Sequence, residues 1–352
     1  MTEEIIQIER RISNSIIPHP HEALFPNLET LVISHMDNLK TIWSVVHVSP
    51  NSFGKLKSLN IKYCEKLLSI VPSYMLRKLQ NLETIKVGNC GSLNEIFRID
   101  GGDEAYGLVD TRLKILSLDG LSKLKHIWNG DPRGIFSFQM LQILEVLHCQ
   151  NLENIFPASV AKCLQHLEKI DITSCALLET IVATEEAFDK FVFPRLSFIS
   201  LYALSELKSF YPGPGLHTIE CPELKHLDVG QCDKLELLGT KSSNSRETYQ
   251  VDRQDVEIKQ PLFINEKVIP NLEFLALDSK DAMQILNAQS FFHKLEIFGL
   301  RSFHNEQAVN FPYGLLQRIP ALEYLHVLDC SFKEIFSCGR QMQSKNKPQG
   351  LQ

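Results

Sequence analysis

The sequence predicts an α/β solenoid, and three observations carry that reading. One apolar phrase, L-x-x-L-x-L-x-x-C/L-x-x-L-x-x-I, recurs along most of the 352 residues. Leucine spacing within each copy is strict, whereas the connections between copies vary in length. A longer period of 85 residues groups the copies in threes. Strict phrases joined by loose connections are what a stacked array produces, because insertions enter loops without disturbing the shared core.

The copies begin at Leu28, Leu56, Leu82, Leu113, Leu141, Leu167, Leu196 and Leu224, with more degenerate ones at Leu272, Leu295 and Leu322. Within each, L-x-x-L-x-L reads as a short strand whose alternate side chains turn inward. In the first copy Leu31 and Ile33 point to the core, while Thr30, Val32 and Ser34 point out. Parallel stacking at about 4.8 Å per strand makes eleven of them a sheet on the order of 50 Å long. The predicted architecture is thus a leucine-rich-repeat horseshoe, with a parallel β-sheet on the concave face and short helices or irregular segments on the convex face.

The return half of each coil carries helix signals where a proline precedes apolar residues at helical spacing. Pro72 precedes Leu76 and Leu79, Pro157 precedes Val160, Leu164 and Leu167, and Pro312 precedes Leu315, Leu316 and Ile319. Proline suits a first helical position, so short helices are expected there. Elsewhere the return is expected to be irregular. The boundaries follow: an N-terminal extension or partial cap over 1–24, an array of about eleven repeats over 25–338, and a polar tail over 339–352. Polar insertions interrupt the array at 98–111, at 183–190 and, longest, at 240–267.

The threefold grouping points to duplication of a three-repeat unit. Leu28, Leu56 and Leu82 recur 85 residues later as Leu113, Leu141 and Leu167. At the same offset Ile42-Trp43 recurs as Ile127-Trp128, Phe53 as Phe138 and Pro72 as Pro157.

Six of the nine cysteines fall at one repeat position, three residues after the last inward strand residue. They are Cys64, Cys90, Cys149, Cys175, Cys232 and Cys330; the first repeat of each triple carries Met36, Leu121 or Leu204 instead. At that turn a thiol is expected to face inward as a small hydrophobe with a weak S–H donor. Cys163, Cys221 and Cys338 have no repeat explanation. No C-x-x-C pair or metal-ligand spacing is present.

Chemistry-bearing constellations are few. Gly54-Lys55 is not a phosphate-binding loop, since Ser49 stands where its first glycine belongs and no Ser/Thr follows the lysine. His19 and His21 could share a metal, but a Pro-flanked solvated loop explains them better. Glu29, Glu83, Glu168, Glu273 and Glu323 follow the first leucine of their repeats and read as exposed repeat positions, not acid/base pairs. The expectation is a chain that is not an enzyme, with no catalytic residues, no cofactor and no metal. A net charge of -6 offers no basic footprint, so nucleic acid is not an expected partner. No stretch is apolar enough to span a membrane, the start lacks a signal-peptide pattern, and no glycosylation sequon occurs. A cytoplasmic or nucleocytoplasmic location is expected.

A protein-binding face is expected on the outward strand positions. The middle outward column runs Val32, Asn60, Lys86, Ser117, Glu145, Asp171, Ser200, Asp228, Ala276, Gly299 and His326. The column before it turns apolar or aromatic at Ile115, Ile143, Phe198, Phe274, Ile297 and Tyr324. Such a row is either a partner site or a surface packed against a flanking loop. Candidate contact residues are Lys86, Ile115, Ile143, Glu145, Asp171, Phe198, Tyr202, Asp228, Phe274, Ile297, Arg301, Tyr324 and His326.

The phrases FPNLETLVISHMDNLKTIW, LKSLNIKYCEKLLSIVP and IPNLEFLAL resemble the C-terminal repeats of plant intracellular immune receptors of the coiled-coil, nucleotide-binding, leucine-rich-repeat family. The resemblance runs from Phe25 to Phe336, and its most specific element is C-x-x-L-x-x-I/L after each strand. It implies disease resistance: repeats that sense a pathogen effector or an effector-modified host protein, and that hold a nucleotide-binding switch inactive. The implied partners are therefore the effector, a guarded host protein and, for a receptor fragment, the parent's nucleotide-binding domain. Nucleotide-domain motifs and a coiled coil are absent from this sequence, so nucleotide binding is not implied for it. The alternative is a free-standing adaptor or scaffold, such as one recruiting substrates for ubiquitin ligation.

Overall fold

The computed structural model describes residues 25–43, 52–99, 107–183, 190–213, 218–239, 260–288, 291–304 and 311–335. The N-terminal extension, the tail, most of the 240–267 insertion, the centres of the two shorter insertions, His19, His21 and Cys338 lie outside the described residues.

One parallel sheet of eleven strands organises the molecule. In chain order its strands are β1 (Thr30–Ser34), β2 (Ser58–Lys62), β3 (Thr84–Gly88), β4 (Ile115–Asp119), β5 (Ile143–Leu147) and β6 (Lys169–Thr173). They continue as β7 (Phe198–Tyr202), β8 (His226–Gly230), β9 (Phe274–Asp278), β10 (Ile297–Arg301) and β11 (Tyr324–Leu328). Every strand pairs with the next in sequence. The register keeps repeat positions opposite one another, as in Leu59 with Ile85, Ile85 with Leu116 and Leu116 with Leu144. The leucine-rich-repeat solenoid expected from the phrase is therefore the fold, with one strand for each of the eleven copies.

The reason for the strict phrase lies in the corner that follows each strand. His35, Tyr63, Asn89, Gly120, His148, Ser174, Ala203, Gln231, Ser302 and Asp329 each stand one residue beyond a strand and all have φ between 51° and 65°. That left-handed conformation costs a non-glycine residue roughly 1 kcal/mol. It is stabilised here because the turned N–H continues the ladder into the next coil: His35 donates to Lys62 O at 3.1 Å, Asn89 to Asp119 O at 2.9 Å and Ala203 to Gly230 O at 2.9 Å. Only β9 lacks this corner, and there an α-helix begins directly at Ser279.

Two residues past the strand, the cysteine position turns under the sheet. Cys64, Cys90, Cys149, Cys175 and Cys232 are buried, and Cys330, on the last coil, is partly buried. Each thiol lies against the carbonyl two residues before it, from 3.3 Å for Cys232 to Gly230 O to 3.6 Å for Cys175 to Thr173 O. Burial raises the thiol of Cys90 to about 11 and that of Cys232 to about 12, so these sulfurs are neutral hydrophobes with a weak donor. Cys221 is also buried, while Cys163 is exposed.

The return path is more regular than the sequence suggests. Ser69–Pro72, Glu95–Arg98 and His126–Asn129 form a second parallel ladder. Asn154–Phe156 with Thr180–Val182 repeat the arrangement further on, while Lys190–Val192 with Thr218–Glu220 pair at the other end of the return, just before the next phrase. The strands of the first kind carry the final Ile of the repeat phrase, and Ile70, Ile96, Ile127, Ile155 and Ile181 are all buried. At three or four residues they are too short to show an alternating pattern. Pro261–Phe263, within the span read as a polar insertion without period, is likewise a buried strand paired with Glu236–Leu238. Its Leu262 and Phe263 close the coil after β8.

Helices α1 (Ser73–Leu76), α2 (Ala158–Cys163) and α4 (Tyr313–Leu316) follow Pro72, Pro157 and Pro312 as expected, with each proline one residue before the first helical one. Helix α3 (Ser279–Ala288) was not legible from a proline signal. The duplicated unit is visible in packing as well. Trp43 meets Phe53 edge-on at 81° and Trp128 meets Phe138 edge-on at 82°, with ring centroids 5.4 and 5.3 Å apart.

Two outcomes test this core. Leu59→Asp and Leu144→Asp each place a carboxylate at a fully buried position, which costs several kcal/mol by the usual measure of unpaired buried charge. Thermal unfolding should show a large loss for both and almost none for Lys86→Ala, whose side chain is exposed; equal losses would refute the inward and outward assignment.

Asp281, in the first turn of α3, is buried with an unbonded Oδ1. Burial raises its carboxyl from 3.8 to about 6, with Asp278, Asp233 and Glu236 adding to the rise and Lys280 opposing it. Stability from the protonated form is complete below the unfolded value and is lost as pH rises through about 6. Asp281→Asn should therefore raise the melting temperature by a few degrees at neutral pH, from at most about 3 kcal/mol for a two-unit shift. The gain should shrink clearly at pH values between the two pKa values; a pH-independent gain would point to packing rather than ionisation.

Candidate functional site

The outer face of the broad sheet presents three columns of side chains, fixed by the ladder register. The middle column pairs Lys86 with Ser117, Ser117 with Glu145, Glu145 with Asp171, Asp171 with Ser200 and Ser200 with Asp228. Beyond Asp228 it continues through Ala276, Gly299 and His326.

The first column is a packed aromatic and aliphatic ridge. Phe198, His226 and Phe274 on β7, β8 and β9 stack face to face, with centroids 4.2 and 3.9 Å apart and ring planes within 10°. Burial lowers the His226 pKa, assisted by Lys169 and opposed by Asp228 and Asp171, so a neutral imidazole sits between the two phenyl rings. Lys169 closes one end of the stack, its Nζ 5.2 Å from the Phe198 centroid. Ile297 and Tyr324 extend the row onto β10 and β11, with Tyr324 the most exposed member. Within the ridge, Phe198, His226 and Phe274 cover one another's faces.

Lys169 also ties the ridge to the middle column. Its ammonium lies 2.8 Å from Glu145 and 3.2 Å from Asp171. Burial opposes the charge on Lys169, yet the two carboxylates outweigh it and its pKa is raised. The hydrogen bond from Lys169 holds the Glu145 carboxyl below its ordinary range.

A second cluster spans β7 to β10. Arg301 reaches back across β9 and β8 to place its guanidinium 5.2 Å from the Tyr202 ring centroid. On the way it bonds Asp228 at 2.5 Å and Val229 O at 3.1 Å, with Asp278 3.7 Å from Nε. Gly230 makes the passage possible, since a Cβ there would stand 2.6 Å from the Arg301 guanidinium and 3.0 Å from the Tyr202 ring. This bridge joins strands on either side of the longest insertion.

Of the thirteen candidate residues, the structure joins Tyr202, Asp228 and Arg301 directly. It joins Glu145 to Asp171 through Lys169, and Phe198 to Phe274 through His226. Ile115 and Ile143 are cross-strand neighbours, half-buried on β4 and β5. Lys86 and His326 make none of these contacts, although Lys86 adds to the lowering of the Glu145 carboxyl; on β3 and β11 they stand eight strand spacings, on the order of 40 Å, apart. Lys169, His226, Gly230 and Asp278 were missed. Sorting the first column by apolarity makes Lys169 and His226 look like interruptions, although their position in the repeat already placed them in the row. Among the described residues no group of three or more His, Cys, Asp or Glu side chains is arranged to hold a metal ion. No helix among them is long and apolar enough to cross a membrane.

Residues 27–176, which span β1 to β6, match the family model described as plant disease resistance protein RPS2-like, leucine-rich repeats. No curated protein matches the chain.

The Arg301 bridge gives a direct test. Arg301→Ala strands two carboxylates and should lower stability by about 1–2 kcal/mol, with a coupling to Asp228→Asn of about 1 kcal/mol in a double-mutant cycle. Arg301→Lys should recover less than half, because a single ammonium on a shorter side chain lacks the planar fork that reaches Asp228, Val229 O and the Tyr202 ring across two strands. Additive effects of the two single changes would show that the contact contributes nothing.

Proposed function

We propose that this leucine-rich-repeat region, of the plant disease resistance type over its first six coils, is the protein-recognition part of an innate immune receptor. In that reading it senses a pathogen effector or an effector-modified host protein, and within a longer receptor it contributes to autoinhibition against the nucleotide-binding domain. The observation that carries the proposal is the family match together with an uninterrupted eleven-stranded sheet whose outer face bears an ordered ridge of aromatic and charged side chains. Aromatic residues with Arg are what protein-binding surfaces concentrate. All three columns point away from the core, so their chemistry can vary without disturbing the stacking beneath them. Partner contacts are assigned to the thirteen residues named above, extended by Lys169 and His226. The chain is read as a binding module and not as an enzyme, acting in the cytoplasm or nucleocytoplasm.

The test is selective capture from plant extract on the immobilised chain. Proteins held by the native chain should be lost from a Phe198→Ala/Phe274→Ala double variant and retained by Gln165→Ala, which changes an exposed residue just after α2. Replacing two ridge phenyls should weaken specific binding by about 2 kcal/mol or more, roughly thirtyfold. Capture indifferent to the ridge would overturn the assignment of this face.

A further inference from the structure

We propose that the outer face between β6 and β11 is a groove for one extended polypeptide segment of a partner protein, one that carries Lys or Arg beside a large apolar side chain. The proposal rests on the protein-recognition reading above and names the chemistry of the partner.

The groove follows from what the three columns carry over β9 and β10. In the middle column Ala276 and Gly299 stand side by side and leave almost nothing projecting, and both are buried between their neighbours. Phe274, Ile297 and Tyr324 form one wall. Asp278, Arg301 and Leu328 form the other. Gly299 is needed for this floor, because a Cβ there would meet the Ala276 Cβ at 3.1 Å. The walls stand four residues apart along each strand, about 13 Å between backbones. Their side chains narrow that gap below the 10–12 Å a helix needs, while an extended chain fits. Running across the strands, the trough is straight and apolar at the β10 end.

Its other end is acidic. Over β5 to β11 the outward columns hold the carboxylates of Glu145, Asp171, Asp228 and Asp278 against the cations of Lys169 and Arg301. Those cations are already engaged by these same carboxylates, at 2.8 and 3.2 Å for Lys169 and at 2.5 and 3.7 Å for Arg301. His226 is neutral in its stack, so a net negative potential remains where the middle column passes Asp228 and Asp171. An incoming cation is attracted there, and an acidic segment is repelled. From Asp171 to His326 is five strand spacings, roughly 24 Å, which about eight extended residues span.

Fluorescence anisotropy with the full chain and three labelled peptides of about ten residues tests this. One combines Lys/Arg with Leu and Trp, one combines Glu with Leu and Trp, and one combines Lys/Arg with Gly and Ser. The first should bind at least about tenfold more tightly than the other two. Gly299→Leu, which fills the floor, and Ile297→Arg, which alters a wall without crowding the backbone, should each weaken binding of the first peptide by about tenfold and so remove that preference. Melting curves separate loss of the groove from loss of the fold, and Ile297→Arg decides the matter if Gly299→Leu does not fold. Equal binding of the acidic peptide, or indifference to Ile297→Arg, overturns the groove. If binding then responds to Lys86→Glu, on β3 and outside the groove, the recognition face stands without it; if it does not respond to that change either, both readings fall.

Discussion

No coil of this protein has a core of its own; what holds each one is the registered parallel ladder to its neighbours. Leu59, Ile85, Leu116 and Leu144 form an unbroken file because each strand begins at the same repeat position. A shift by one residue would turn every inward leucine to solvent. The left-handed corner after the strand is the device that enforces the start and stop. It reverses the chain while its N–H remains in the ladder, so the next coil is bonded before the polypeptide has left the sheet. The cost of φ near 50° at histidine, tyrosine or alanine is small per coil and is shared by the hydrogen bond it permits.

This arrangement explains where irregularity is tolerated. After the corner, a second turn is closed by hydrogen bonds such as Leu67 N to Cys64 O at 3.2 Å and Leu93 N to Cys90 O at 3.2 Å. The short return ladder then carries the buried isoleucines. Beyond that point the chain is free to vary, and all three polar insertions fall there. Even between β8 and β9, the strand Pro261–Phe263 restores the return ladder before the next phrase begins. Arg301 binds the two flanks together from the outer side, through Asp228 and Tyr202 on one flank and Asp278 on the other.

The inward half of the fold was legible in the sequence because burial imposes one chemistry at each repeat position. Leucine spacing gave the strands and their register, and the cysteine column gave the turn beneath the sheet. Proline announced α1, α2 and α4. What stayed hidden were elements with no pattern long enough to read, such as Asn154–Phe156, or with no helix-start proline, such as α3 after Asp278. On the outer face the columns could be written down, yet their contacts could not. Nothing in Lys169 or Arg301 as letters shows which carboxylate each will reach. Arg301 crosses two strands only because position 230 is glycine, a dependence between residues 71 apart.

That separation has a consequence for recognition. Side chains on the outer columns are held mainly by one another: the phenyl rings by His226, Glu145 and Asp171 by Lys169, Asp228 by Arg301. A face ordered in this way enters a complex with its rotamers already fixed, and so loses less conformational entropy than a face of free lysines and glutamates. It also directs its residual charge. Over β5 to β11 both cations are spent internally, so the carboxylates in excess set the sign of that stretch of the face, and the proposed preference for a Lys- or Arg-bearing segment rests on that imbalance rather than on any single residue. Changing one ridge residue would therefore alter its neighbours' positions along the column, while the leucines beneath, bound by the ladder, would keep their register.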